Sequence, residues 1–427
     1  MAFSKDFHVV IIGGGMCGLA CAVALSRAGI QVDIYESASK FGEVGAGVGL
    51  GPNALRALDA LGLLEIIMSK ANEPTPSLRS FLFLSDLPGH QVIYDYPALP
   101  GDVGLGIHRA AFLDALVGAI DPRITHFNAR CVDIRQPSQS GLSRTAITFA
   151  DGSSVEADVV LGADGIRSTV RSSVVKNPSV GHLAFTNTVA YRALLPNESV
   201  KLAGVQIDLS TRPVCFVGVN KHIITFPIRD GKTINVVIFC TDRTVPVGSI
   251  EVPPNQWVVP AAQDEIFTAY QGSGSDVTAL LSLINTTSKW AIHALSPPLE
   301  SYVKTNVALV GDAAHGMCPH LGAGVGQGFE DSLVICQLLS HPDTKLSNIP
   351  DVLQAYDIVR RPRANMVLER STWAGELYES LQENDANFII EHLRTQLVGL
   401  WSPVWHHDIK ADIEAAVEHL KENGVFT

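Results

Sequence analysis

Phe7-His8-Val9-Val10-Ile11-Ile12-Gly13-Gly14-Gly15-Met16-Cys17-Gly18 is the stretch that decides the fold. The apolar, β-branched run ending at Ile12 is typical of a strand buried inside a parallel sheet. Leu19 to Arg27 reads as a helix rich in Ala and Leu, with Gly29 beyond its end. Gln31 to Glu36 reads as the next strand. Strand, glycine turn, helix and strand within 30 residues make a βαβ unit, with Gly13-x-Gly15-x-x-Gly18 at its turn.

The chemistry explains the spacing. Gly13 permits the tight turn, Gly15 lets a pyrophosphate approach the backbone, and Gly18 lets helix and strand pack closely. The first helical turn, with Met16 and Cys17, offers free N–H groups and a partial positive charge to phosphates. Glu36, followed by Ser37, ends the second strand. A carboxylate there accepts hydrogen bonds from a ribose diol and repels a 2′-phosphate, so the expected ligand is an unphosphorylated adenine dinucleotide, FAD or NAD. The spacing occurs once in the chain, so one dinucleotide is held by this device.

The remaining 400 or so residues are ample for a large core, and at roughly 150 residues per domain they suggest two or three domains. The chain has 427 residues, 46% hydrophobic and 17% charged, with a net charge of −12. That composition excludes a largely disordered chain. The acidic balance argues against nucleic acid or an anionic membrane as partner. No apolar run is long enough to span a bilayer, and no secretory signal is expected. Seven cysteines without a framework spacing point to a reduced, cytoplasmic setting.

Further along, Glu43 to Asn53 is a second glycine-dense loop, and Ile107-His108-Arg109 leads into a helix. Arg144 to Val160 reads as a hairpin around Asp151-Gly152. Val189–Leu195, Val214–Val219, His222–Ile228 and Thr233–Cys240 read as strands of a separate, mainly antiparallel sheet. Asn306 to Val310 is another buried strand, followed by Gly311-Asp312-Ala313-Ala314-His315. A third glycine cluster, Gly322 to Gly328, opens a helix, and the chain after Pro350 reads as mainly helical.

Three of these blocks together resemble the single-component flavin-dependent aromatic hydroxylases, which include 4-hydroxybenzoate and salicylate hydroxylases. They are the dinucleotide turn ending at Glu36, Gly162-Ala163-Asp164-Gly165, and Gly311-Asp312-Ala313-Ala314-His315. With Met317, Pro319, His320, Gly322 and Gly324, the chain is most similar to the salicylate hydroxylase branch. The resemblance implies an α/β fold: a Rossmann-like FAD-binding domain with an inserted, mainly antiparallel β-sheet substrate domain and C-terminal helices. The expected divisions are 1–75, 105–180 and 296–370 for the discontinuous FAD-binding domain, 76–104 and 181–295 for the substrate domain, and 371–427 for the C-terminal helical segment.

It also implies roles. Asp312, next to Gly311, would bond the ribityl chain of FAD, and Arg109 the flavin chain or phosphates. Asp164, with Gly165 and Arg167, would position flavin and the nicotinamide cofactor. Val44, Ala46 and Gly47 would line the flavin, while Arg130, Cys131 and Val132 would face the adenine. Pro319, Gly322, Ala323, Gly324 and Val325 would bring backbone N–H groups and a helix N-terminus to the charge of reduced flavin.

The implied reaction uses NADH or NADPH to reduce FAD and O₂ to hydroxylate a phenolic aromatic acid, with loss of CO₂ where the attacked carbon carries a carboxylate. Arg192 suits that carboxylate, and His222, Arg229 and His320 are further candidates to hold the ring. The spacing of His315, Cys318 and His320 suits no usual metal site, and none is expected. Two alternatives stay open: a flavin monooxygenase acting on a larger phenolic or isoprenoid metabolite, and a non-hydroxylating FAD-binding redox sensor. The helical segment 350–427, with Trp373, Trp401 and Trp405, would form a dimer face, pack into the core or shield the substrate domain, so monomer and homodimer both stand.

Overall fold

The computed structural model describes residues 4–42, 47–71, 76–78, 80–136, 144–176, 182–285, 287–381 and 386–427. Val44 and Ala46 lie outside the described residues. The central sheet runs Val303–Lys304, Val307–Leu309, Val159–Gly162, His8–Ile12, Gln31–Tyr35, Thr125–His126. All its pairs are parallel except the edge pair Val303–Lys304 with Val307–Leu309. His8–Ile12 is central, which explains its unbroken apolar run. The helix Met16–Arg27 begins directly after Gly15, inside the glycine turn.

The register matters for function. Ile12 sits beside Gly162, and Gly162 beside Leu309. Three strands far apart in sequence therefore end level with one another. The loops that follow them, beginning at Gly13, Ala163 and Val310, emerge at one edge of the sheet. Ligands of open parallel sheets bind beyond the carboxyl ends of the strands.

A second sheet has eight strands: Val258–Ala261, Thr287–Leu295, Leu183–Pro196, Thr233–Thr241, Lys221–Ile228, Val214–Val217, Phe81–Ser85 and Val92–Tyr96. It is antiparallel except where Val214–Val217 runs parallel to Phe81–Ser85. The strand expected to begin at Val189 begins at Leu183, because its first half pairs with Thr287–Leu295 across an irregularity between Phe185 and Val189. Asn187 sits there with φ +61.

The chain closes with helices. Ile349–Tyr378 runs through Pro362 without a break. Ala386–Leu397, Ser402–Trp405 and Ile409–Glu422 follow. Leu420 and Phe426 return to the core of the parallel sheet, whereas Leu393, Leu397, Trp401 and Trp405 pack with Phe83, Ile93 and Tyr96 of the second sheet. The fold is α/β: a Rossmann-like unit, an inserted antiparallel sheet and C-terminal helices. Among the described residues no helix is long and apolar enough to cross a membrane.

Candidate active site

Two cavities meet at the level strand ends. The outer one, of about 410 Å³, is lined by Gly13, Gly15, Met16, Cys17, Glu36, Ser37, Arg130, Cys131, Asp164, Gly165 and Arg167, among others. The inner one, of about 320 Å³, lies between the parallel sheet and the inserted sheet. It is lined by Gly47, Arg192, Phe226, Phe239, Pro319, His320, Gly322, Ala323, Trp401 and Trp405, among others. Arg109, Asp312, Gly324 and Val325 line both.

The glycines show what the outer cavity is built to take. A Cβ at Gly13 would lie 2.4 Å from the Ala163 carbonyl oxygen, and one at Gly18 would lie 2.0 Å from that of Gly13. Both serve the chain's own packing, and Gly13 also needs its φ of +107. A Cβ at Gly15 would meet nothing within 4 Å. Gly15 thus presents bare backbone to the cavity, at the start of a helix. Glu36 holds the turn from the far side: its carboxylate accepts from Gly14 N and Ala38 N, each at 2.7 Å.

The second and third loops are fixed differently. Asp164 accepts from the Ser168 hydroxyl at 2.5 Å and from Thr169 N and Val170 N at 2.7 and 3.1 Å, capping its own turn. Burial still raises its carboxyl above the ordinary range, with those bonds pulling the other way. Arg167 stacks 4.0 Å over Trp257 and donates to the Pro254 carbonyl at 2.8 Å, joining the two sheets at the cavity edge. Gly311 adopts φ +64, and the exposed Asp312 after it reaches the junction of the cavities. The helix Gly324–Ser340 starts at that junction. A bare backbone cradle, two helix starts and a dinucleotide-sized cleft fit FAD, with the flavin end toward the inner cavity.

The inner cavity is mainly apolar, and Arg192 and His320 are two of its polar groups. Arg192 lies 5.0 Å over Trp290, and its buried Nε has no hydrogen-bond partner among the described residues. Burial and then the charge of Arg109 pull its pKa below the ordinary arginine value. The Asp312 carboxylate already offsets the charge on Arg109, so Arg192 is the guanidinium suited to an anion in this cavity. His320, 5% exposed, lines the same cavity, with Nδ1 3.3 Å from His222 Nε2.

A model of the FAD binding domain family matches residues 6–82 and 126–371. A salicylate hydroxylase of Pseudomonas putida is 38% identical, over 96% of this chain and 94% of its own. A 6-methylsalicylate 1-monooxygenase of Aspergillus terreus is 34% identical, over 88% of this chain and 84% of its own. A solved salicylate hydroxylase substrate complex superposes with a TM-score of 0.83 at 33% identity, covering 96% of this chain and 98% of the other. The chain belongs to the FAD-dependent monooxygenases of this family.

In this flavin monooxygenase several expected site residues stand behind the cavity walls. Gly18 and Gly311 are packed within the turns, and Cys17 Sγ fills the space between Gly311 and Gly328. His222 is fully buried behind His320. Val132 is 49% exposed and borders neither cavity. Arg229 likewise borders neither; it sits exposed in the turn after Ile228 with φ +49.

The sequence reading missed the group that holds the third loop. Asp331 accepts from Gly311 N at 2.9 Å, from His315 Nε2 at 2.5 Å and from Arg360 Nε at 2.9 Å. Glu330 beside it takes Arg360, Arg363 and the Asn53 amide. Glu330 and Asp331 are each at most 1% exposed. A signal existed: an acidic pair inside an otherwise apolar helix, and two arginines three apart in another. Arg171 was missed too; it donates to the carbonyls of Ala313 and Ile166, tying the Asp-Gly loop to the Gly-Asp loop. Trp401 and Trp405 prove to be walls of the inner cavity, stacked at 5.3 Å.

Proposed function

We propose that this flavin monooxygenase hydroxylates a salicylate-like phenolic acid, using NADH or NADPH and O₂. One observation carries the reading: Arg192, whose buried Nε has no hydrogen-bond partner among the described residues, and the His320 imidazole share a mainly apolar cavity that opens onto the FAD cleft. The salicylate and 6-methylsalicylate enzymes among its relatives agree with it.

Bound FAD supplies hydride acceptance and activation of O₂. The chain's own residues do the rest. The outer-cavity residues Gly13, Gly15, Met16, Cys17, Glu36, Ser37, Arg130, Cys131, Asp164 and Gly165 hold the dinucleotide, and Arg109, Asp312, Gly322, Ala323, Gly324 and Val325 hold its flavin end. Arg192 binds the substrate carboxylate and thereby orients the ring. His320 Nε2 takes the phenol proton, raising electron density at the ortho carbon. Phe226, Phe239, Trp401 and Trp405 exclude water. The units 1–75, 105–180 and 296–370 form the cofactor side, 76–104 and 181–295 the substrate side, and 371–427 the closing helical segment. The same proposal has the enzyme act in the cytoplasm, as a monomer or homodimer.

The test is direct. The purified protein should be yellow and should oxidise NADH or NADPH faster with salicylate, releasing a catechol and CO₂. FAD binding with no response across a broad panel of hydroxybenzoates and phenols would refute the substrate assignment. NAD(P)H oxidation without hydroxylated product would mark the aromatic as an effector only.

A further inference from the structure

The floor of the inner cavity is one face of the inserted sheet. Alternation along the strand Thr233–Thr241 turns Ile234, Val236 and Ile238 into that sheet's own core, and Asn235, Val237 and Phe239 toward the cavity. Strand register sets Phe226 beside Asn235 on one side, and Arg192 beside Val237 on the other. Phe226 and Arg192 line the cavity as well. Arg192 and Asn235 are therefore diagonal neighbours on one face, about 7–8 Å apart at the backbone, within reach of one small ligand.

Asn235 is 2% exposed, and a side chain so buried needs partners for its polar atoms. The backbone sets its orientation. Gly47 N, at the start of the strand Gly47–Leu50, meets the amide at 3.3 Å. A backbone N–H only donates, so the atom facing Gly47 is Oδ1. The approach is close: a Cβ on Gly47 would lie 3.2 Å from that oxygen and 3.2 Å from the Phe226 ring. Nδ2 is left on the other side of the amide, with two N–H donors and no hydrogen-bond partner among the described residues.

The other polar groups lining the cavity are engaged elsewhere or offset. Asp312 offsets the charge on Arg109, and His320 Nδ1 meets His222 Nε2. The Cys318 thiol accepts from the Thr372 hydroxyl at 3.9 Å. Arg192 rests on the Trp290 ring with its Nε unpaired. Two neighbouring sets of donors thus look for one acceptor, and a carboxylate has two oxygens to offer.

We infer that Asn235 is a specificity-determining residue, whose amide N–H groups hold the substrate carboxylate together with Arg192. Arg192 supplies the charge. Asn235 supplies donors whose direction Gly47 fixes. With one oxygen on each residue the ring is held in one orientation, where a single contact would let it swing. Through Oδ1 the same amide ties the cavity floor to the strand that leaves the second glycine-dense loop. The inference rests on the proposed salicylate-like substrate, and its test separates the two.

Equilibrium dialysis of the full-length FAD-loaded enzyme gives Kd for salicylate, salicylamide and 2-methylphenol, in the wild type and in Asn235→Leu and Asn235→Asp. Leucine removes the donors at similar volume and cannot pair with Arg192. It should weaken salicylate by roughly tenfold or more. It should change 2-methylphenol, which carries a methyl group in place of the carboxylate, much less. Aspartate keeps the acceptor for Gly47 N but replaces the donors with a negative charge. It should repel salicylate and accept from the amide of salicylamide, moving the preference toward salicylamide by on the order of tenfold or more. Unchanged salicylate affinity in either folded variant would overturn the inference. Equal losses of salicylate and 2-methylphenol would overturn it too, by showing that the amide only keeps the cavity in shape. Should Asn235→Leu not fold, the ligand preference of the near-isosteric Asn235→Asp decides alone. A wild-type enzyme that binds salicylate no better than 2-methylphenol would instead overturn the salicylate-like reading, and the inference with it.

Discussion

The backbone N–H of Gly311 donates to the buried carboxylate of Asp331 at 2.9 Å, so the Gly-Asp loop is set from inside the helix that follows it. The same oxygen accepts from His315, which closes the short turn Asp312–His315. One carboxylate therefore fixes where Asp312 stands at the junction of the two cavities.

Asp331→Asn should weaken both fold and flavin retention. Removing one partner of a buried ion pair costs about 3–5 kcal/mol. Burial alone would raise the Asp331 pKa, but His315 and Arg360 outweigh it and hold it below the usual value. Because the folded value is depressed, the ionised group stabilises the fold at pH above its unfolded value of about 4, and that contribution is lost as pH falls through the folded value. Chemical denaturation across pH 3–7, with flavin content measured alongside, checks both statements; an unchanged stability would remove the role.

Gly15 and Gly18 should respond in opposite ways. Gly15→Ala places a methyl where nothing lies within 4 Å, so the apoprotein keeps its melting temperature and loses FAD affinity. Gly18→Ala drives a methyl to 2.0 Å from the Gly13 carbonyl and should destabilise the fold by about 1–3 kcal/mol. Thermal melts and FAD titrations of the two apoproteins distinguish them.

Arg192→Ala should raise KM for salicylate by roughly 10- to 100-fold, the worth of a charge-assisted hydrogen bond of about 1.5–3 kcal/mol. KM for a neutral phenol such as 2-methylphenol should change much less. Equal changes in both would exclude carboxylate binding by Arg192.

Trp405 forms one wall of the inner cavity. Gly51 reaches it so closely that a Cβ would lie 2.9 Å from Trp405 Nε1. Trp405→Leu should raise the ratio of kcat/KM for 1-hydroxy-2-naphthoate to that for salicylate by on the order of tenfold. A ratio that does not move would mean that another wall limits substrate size.

His320 predicts a second pH signature. Its folded pKa of about 3 lies below the unfolded value of about 6.5. The unfolded chain then binds the extra proton across that interval, so stability rises with pH from about 3 to 6.5 and is flat above. In His320→Gln this part of the slope should vanish, as read from denaturation midpoints in that range.

Local chemistry was open to reading in the sequence. The buried strand, the glycine spacing and the Glu36 position involve neighbours within 30 residues, and both periodicity and turn geometry act on that scale. The helix bounds shifted by a few residues, because the glycine turn itself enters the helix at Met16. His320 stood out by its place just before the flavin-facing glycines, whereas Arg192 and Arg229 were candidates by residue type, and Arg229 lies in an exposed turn that borders neither cavity.

What only the tertiary structure decided are contacts across long separations. His222 meets Glu379 across 157 residues, and Trp405 comes to the cavity from the far end of the chain. Such meetings depend on strand register, sheet order and helix approach. Gly375 illustrates this, since a Cβ there would lie 2.4 Å from the His320 ring. The sequence by itself determined that a dinucleotide is bound at a glycine turn, since backbone sterics and the helix N-terminus are properties of adjacent residues. Which side chains surround the substrate cavity, and which buried charges hold its loops, came from packing, because burial and pairing are properties of the whole fold.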